Sequence, residues 1–269
     1  MRIDVLVTGQ FPANIPWQKM IDVLYRVEKI FLNMPDHDVK IRYHTWSKPE
    51  MLAKFVPQTQ MMIRARDQVL LTQEPKVYNP YREQKKFVDT PRWTEQVKRH
   101  GGPYVEGRKS NYRALQIMST LDLINSIKEP PDLYIRTRWD ALIDYTFDFE
   151  KYIQMAAEGT VVGFQLNCNP EDPWWTIRER FEKHDYWEEK QIKKNGWWHQ
   201  HVFDYMVMFK PEQFRSQVIS HWWKHKLLLA AEWGWWQVLC HNGDEEPTPH
   251  VNVNGIVPII RQMEGIPHA

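Results

Sequence analysis

The sequence predicts an α/β fold, on three observations. A strand, a helix and a second strand joined by short connections open the chain, the pattern of a βα unit. A clear helix at 111–127 is stopped by Pro130-Pro131 and followed at once by the apolar strand Leu133-Tyr134-Ile135. Strand-like and helix-like segments then alternate to the end.

Ile3 to Thr8 reads as a buried strand that ends in the loop Gly9-Gln10-Phe11-Pro12. Trp17 to Phe31 carries apolar residues at 17, 20, 21, 24, 27, 30 and 31, a helical period. Val39 to His44 is a second strand, running into His44-Thr45-Trp46. A short helix is expected at 49–55, and 61–71 mixes apolar and basic residues without a clear period. The stretch 72–110 holds four prolines and Gly101-Gly102, and reads as loop with a short helix near 93–99.

Asn111 to Ile127 shows Leu115, Met118, Leu121, Leu123 and Ile124 on its apolar side, with Ser110 as N-cap. Phe149 to Ala157 is a short helix and Thr160 to Leu166 a strand. A helix is expected at 175–193. His201 to Phe209 alternates like a strand, with Val202, Tyr205, Val207 and Phe209 expected inside. Helices at 211–216 and 220–239 and extended chain over 251–261 complete the reading. Neither an internal repeat nor a low-complexity linker interrupts it, so residues 1–269 are expected to form one domain.

Composition narrows the function classes. The chain is 42% hydrophobic and 26% charged, which suits a globular protein with a sizeable core. A net charge of +1 excludes a global field that would recruit nucleic acid, although 72–110 is mildly basic and rich in aromatics. Two cysteines, Cys168 and Cys240, argue against a disulfide framework, so a reducing cytoplasm is expected (the host cytoplasm for a viral protein). The apolar run at the start is a first strand rather than a signal peptide, and no run reaches the roughly 18–20 residues of a transmembrane helix. The unusual number is 14 tryptophans, most of them within 167–240. Indole stacks well on sugar faces and on bases, while some of these residues must serve the core.

The chemistry concentrates in Tyr134-Ile135-Arg136-Thr137-Arg138-Trp139-Asp140. Arg136, Arg138 and Asp140 alternate, so in extended chain their side chains point one way. Like charges beside each other on a core strand call for an anion or a counter-charge. Ligands of open α/β sheets sit outside the carboxyl ends of strands. Two arginines suit a diphosphate, and a carboxylate beside them suits a metal or a sugar hydroxyl. An Arg–Asp ion pair at a strand end has the same spacing.

Several landmarks fall in the order of a known family. Thr8-Gly9-Gln10 follows the first strand and His44-Thr45-Trp46 the second. Arg136, Arg138 and Asp140 follow a polar helix. Phe203-Asp204-Tyr205 leads an apolar strand, a helix carries Glu232, and Arg261 lies near the end. In this order the chain resembles small GT-A-type glycosyltransferases of the bacterial and viral groups. It has Phe11-Pro12 where such sequences often place an arginine after Gly-Gln.

The resemblance implies a GT-A-like (Rossmann-like) mixed, mostly parallel sheet flanked by helices, and transfer of a sugar from a nucleotide-sugar donor. It makes Asp140 the remnant of the metal-binding Asp-x-Asp motif, with Arg138 in place of the first Asp. A divalent Mn2+ or Mg2+ on Asp140, with His250 as a late ligand, is one expectation; direct arginine–phosphate contact is the other. Gly9, Gln10, Asn111 and Arg113 would border the nucleotide, and Arg261 would close over phosphate. Asp204 and Glu232 are the carboxylates expected at the acceptor, ahead of Asp185, where an inverting reaction needs a base. The Trp-rich stretch would lie on the acceptor side.

Other readings stay open at this stage. The acceptor is a glycan or lipid-linked saccharide, or, for a phage or viral enzyme, a hydroxymethylated base in DNA contacted by 76–109. A sugar-binding module without catalysis would use the tryptophans alone. The pairs His221/His225 and His199/His201 have spacings compatible with zinc, but a zinc site needs three or four ligands and no Glu follows His221 directly as metalloproteases require.

Overall fold

The computed structural model describes residues 1–9, 17–46, 68–72, 112–143, 148–164, 202, 204–219, 231–241 and 247–253. Among them run β1 (Arg2–Thr8), α1 (Trp17–Phe31), β2 (Asp38–Thr45), β3 (Val69–Leu71), α2 (Tyr112–Asn125), β4 (Leu133–Arg138), α3 (Glu150–Ala157), β5 (Val161–Phe164), β6 (Met206–Phe209), α4 (Ala231–Leu239) and β7 (His250–Val253). One seven-stranded sheet takes the order β3-β2-β1-β4-β6-β5-β7. Strand β6 is antiparallel to both its neighbours and every other pairing is parallel. The expected mixed, mostly parallel sheet flanked by helices is therefore present.

Strand β1 is buried from Ile3 to Thr8 on both faces, as a central parallel strand covered by helices must be. Its odd residues Ile3, Val5 and Val7 join one core with Met20, Val23, Leu24, Val27 and Phe31 of α1 and Ile153 and Ala156 of α3. Leu6, on the other face, joins a second core with Ile117 and Leu123 of α2, Tyr134, Phe209 and Trp235. The sheet is thus the middle layer of three.

Several elements differ from expectation for physical reasons. Strand β3 emerges from the aperiodic 61–71 stretch, because three residues paired to one neighbour need little pattern of their own. Strand β6 starts at Met206 and buries Met206 and Met208 as well as Val207 and Phe209, since both its faces are covered. The segment after it is a single 3₁₀ turn, Pro211–Gln213, rather than a helix to 216. Between α3 and β5, Gly159 adopts φ +99°, a left-handed conformation that favours glycine. The expected extended chain from 251 begins as β7, paired to β5 from His250. The helices at 49–55 and 175–193, the N-cap Ser110, and the first part of the 220–239 helix lie outside the described residues.

No helix among the described residues is long and apolar enough to cross a membrane. Of the clustered tryptophans, Trp235 and Trp236 are core residues, and Trp46 and Trp139 are buried as well.

Because Leu6 is fully buried against the second layer, Leu6→Ala should destabilise the protein by roughly 2–5 kcal/mol in urea unfolding. Tyr25→Ala, on an exposed face of α1, should change stability by about 0.5 kcal/mol or less.

Candidate functional site

The chain runs from β1 outward to β2 and β3 on one side and then returns to β4 on the other. That reversal makes the carboxyl ends of β1 and β4 a topological switch point, where open α/β sheets hold ligands. Thr8 ends β1 and Gly9 follows it, His44 and Thr45 end β2, and Arg138 ends β4. Because β6 runs the opposite way, its start reaches the same edge, and Asp204 bridges to Phe164 at the end of β5.

Arg136 is the buried centre of this edge, with none of its surface exposed. Its Nε donates to Thr8 Oγ1 (3.0 Å), Nη1 to the Asp204 carbonyl oxygen (2.5 Å) and Nη2 to Gln116 Oε1 (2.9 Å). The indole of Trp235 lies 5.3 Å from the guanidinium carbon. Gln116 in turn donates from Nε2 to Asp204 Oδ2 (2.6 Å). Thr120 donates to the Gln116 carbonyl (2.9 Å) and shares a 3.0 Å hydrogen bond with Thr8. Burial and the neighbouring Arg138 push the Arg136 guanidinium down to about 9, still protonated at neutral pH.

Arg138 and Asp140 form a bidentate pair: Nε to Oδ1 at 2.8 Å and Nη2 to Oδ2 at 3.1 Å. The Tyr205 ring lies 5.4 Å from the Arg138 guanidinium carbon. Burial lowers the Arg138 value, but the Asp140 charge and hydrogen bonds more than reverse this, so the guanidinium is held above its ordinary value. The three motif residues are therefore not equivalent. Arg136 turns inward to protein acceptors, whereas Arg138 stands at the rim with its carboxylate partner.

Among the described residues the donor set does not suit a divalent cation. Both Asp140 oxygens already accept from Arg138, and among the described residues no three His, Cys, Asp or Glu converge as ligands. His250, half-buried at the start of β7, aligns through β5 and β6 with Tyr134, not with the end of β4. That places it roughly 13 Å back along the strands and about 14 Å across three strand spacings, against metal–oxygen bonds of about 2.0–2.6 Å. The structure does not bring Asp140 and His250 together.

A second polar chain secures the neighbouring strand end. Thr72 and Trp46 donate to Asp122 Oδ2 at 2.7 and 3.0 Å. His44 Nε2 lies 2.9 Å from Thr72 Oγ1, and His44 Nδ1 lies 2.5 Å from Ser119 Oγ. Since the Thr72 hydrogen is committed to Asp122, Nε2 carries a proton and donates it to Thr72 Oγ1. Ser119 also accepts from the Gly9 backbone N–H (2.7 Å), where φ is +116°. Serine, histidine and aspartate stand in line here, but Ser119 and His44 are fully buried. Their role is to pin the chain as it leaves β1.

Of the residues predicted from sequence, Gly9, Arg136, Arg138, Asp140 and Asp204 gather at this edge, and Asp204 keeps 6% exposure. Arg113 lies on α2 and Glu232 on α4, with side chains outside the described residues, and Gln10, Asn111, Asp185 and Arg261 lie outside them altogether. So do the histidine pairs, the basic stretch 76–109 and the tryptophans from 174 to 223. Sequence reading missed Gln116, Ser119, Thr120, Asp122, Thr72 and Tyr205. A signal was present for the first three, because positions 116, 119 and 120 share one face of a helix.

Removing the buried guanidinium would strand the acceptors on Thr8, Gln116 and Asp204, so Arg136→Met should cost at least about 2 kcal/mol in urea unfolding. Arg136→Lys should fail to restore it, because one ammonium cannot span the three directions. Asp122 gives a pH signature. Burial raises its carboxyl, but hydrogen bonds from His44, Trp46 and Thr72 outweigh this and hold it below 3.8. Its stabilisation is complete above that value and lost as pH falls through the lower folded-state value. Asp122→Asn should therefore lose less stability than the parent between about pH 6 and about pH 3, measured by urea unfolding at each.

No family model and no curated protein matches the chain. Among solved structures it is similar to the galactosyltransferase LgtC in complex with donor and acceptor sugar analogues, with 10% identity over 94% of this chain and 73% of that one and a TM-score of 0.43. It is likewise similar to an active-site mutant of LgtC, with 12% identity, the same coverage of 94% and 73%, and a TM-score of 0.39.

Proposed function

We propose that the chain is a glycosyltransferase that moves a sugar from a nucleotide-sugar donor to a hydroxyl of a glycan or lipid-linked saccharide. The observation that carries this reading is the convergence of the Arg138–Asp140 pair and the Asp204 carboxylate on one sheet edge at the switch point. Sugar transfer breaks the bond between the anomeric carbon and a diphosphate oxygen and forms one to the acceptor oxygen. Negative charge grows on the leaving diphosphate, and a cation fixed in advance lowers that barrier. Arg138 is placed for this role.

Asp204 is the acceptor-side carboxylate. In an inverting reaction it would take the acceptor proton, and Gln116 holds its Oδ2 in place for that task. Glu232 is the second acceptor-side carboxylate. Gly9 and Gln10, with Asn111 and Arg113, border the nucleotide in this reading, and Arg261 closes over phosphate. Arg136 supports the site from beneath and touches no ligand.

A thermal-shift screen of nucleotide sugars, followed by transfer of radiolabelled sugar to saccharide acceptors, tests the proposal. One nucleotide class should raise the melting temperature. Asp204→Asn should keep that shift while transfer falls by about 10²-fold or more. If no nucleotide sugar shifts melting and none is hydrolysed or transferred, the reading is wrong. Glycan binding unaffected by Asp204→Asn and Arg138→Met would then favour a non-catalytic sugar-binding module.

A further inference from the structure

We propose that this site binds the donor diphosphate without a divalent cation, with Arg138 as the anion-binding group and Asp140 as the carboxylate that orients it. The inference rests on the glycosyltransferase reading and specifies how its leaving group is held.

The geometry of one guanidinium carries the argument. Four of its five N–H groups form two forks, one side-on through Nε and one Nη, the other end-on through both Nη atoms. Asp140 occupies the side-on fork, at 2.8 and 3.1 Å. Among the described residues the end-on fork has no partner, and it matches two oxygens of a phosphate. Tyr205 lies against the guanidinium, so it is held by a carboxylate at one edge and a ring at one face. Exposure gives the order in which a ligand meets the pair: the Arg138 side chain is 25% exposed and that of Asp140 only 6%. An incoming anion reaches the cation first.

A metal would have to reverse this order. A dication on the remaining lone pairs of Asp140 would compete with Arg138 for its counter-charge and place two further positive charges beside that guanidinium. Arg136 lies close enough to feel the repulsion of the Arg138 guanidinium, and it cannot turn away, since its own donors are committed within the protein. The formal charges of Arg136, Arg138, Asp140 and Asp204 already cancel. An anion entering on Arg138 keeps the Asp140 pair intact and adds to its charge balance, whereas a dication competes with Arg138 for the same carboxylate.

Isothermal titration with uridine diphosphate, guanosine diphosphate and inorganic pyrophosphate, each in EDTA and again in Mn2+, decides the matter. The expected result is binding of at least one probe with dissociation constants within about twofold in the two buffers, and no saturable uptake of Mn2+ alone. Arg138→Met should weaken that binding by about tenfold or more. Arg138→Lys should recover only part of it, because an ammonium lacks the fork. Asp140→Asn should weaken it only a few-fold, and Mn2+ should leave that variant unchanged. Circular dichroism and melting temperature check that each variant is folded; if Arg138→Met is not, the Lys variant and the two buffers on the parent protein still decide. Binding that appears only with Mn2+ and vanishes in Asp140→Asn overturns the inference and leaves the glycosyltransferase reading standing. Absence of binding to all three probes in both buffers by the folded protein overturns both.

Discussion

The guanidinium of Arg136 is the constraint on which the carboxyl edge of this sheet depends. A buried cation costs several kcal/mol in lost hydration even after the protein relaxes, so it persists only where acceptors surround it. Here the acceptors come from three separate elements: Thr8 at the end of β1, Gln116 on α2 and the Asp204 carbonyl before β6. Meeting that demand fixes how the helix sits on the sheet and where the reversed strand begins. Trp235 adds an aromatic face from α4. Four elements are thereby tied to one side chain, directly beneath the residues proposed to meet substrate.

This demand also explains why α2 is less apolar on its inner side than a core helix usually is. Gln116, Ser119 and Thr120 face strand ends that carry polar groups, and each finds a partner there. Ser119 and His44 extend the arrangement to Gly9 and, through Thr72, to Asp122. Lower on the same helix, Leu123 returns to the apolar core. The sheet therefore grades from hydrocarbon at its middle to a satisfied polar layer at its carboxyl edge. Such a layer holds its geometry because moving one member leaves another buried and unpaired. A site that must place a cation and a carboxylate to within an ångström gains from that rigidity.

Two arginines of one motif take opposite roles because the strand ends between them and solvent. Arg136 is still flanked by β1 and β6, paired there to Leu6 and Val207, and is enclosed. Arg138, paired to Thr8 alone among the described residues, stands where the sheet gives way to a turn, and Asp140 folds back onto it. The shared direction of the side chains was legible from alternation. Their difference in exposure was not, because it depends on where the neighbouring strands stop.

The sequence by itself determined the alternation of strands and helices, the helix at Trp17–Phe31, and the gathering of Arg136, Arg138, Asp140 and Asp204 as the residues of interest. These follow from local periodicity and from the cost of burying charge, both of which are written in neighbouring residues. Only the tertiary structure decided that Arg136 is internal, that Arg138 holds both oxygens of Asp140, and that His250 belongs to the far end of β7. It alone also drew in Gln116, Thr72 and Tyr205. Each of those outcomes is set by strand order and register, in which residues tens of positions apart become neighbours, and periodicity along one segment carries no information about that.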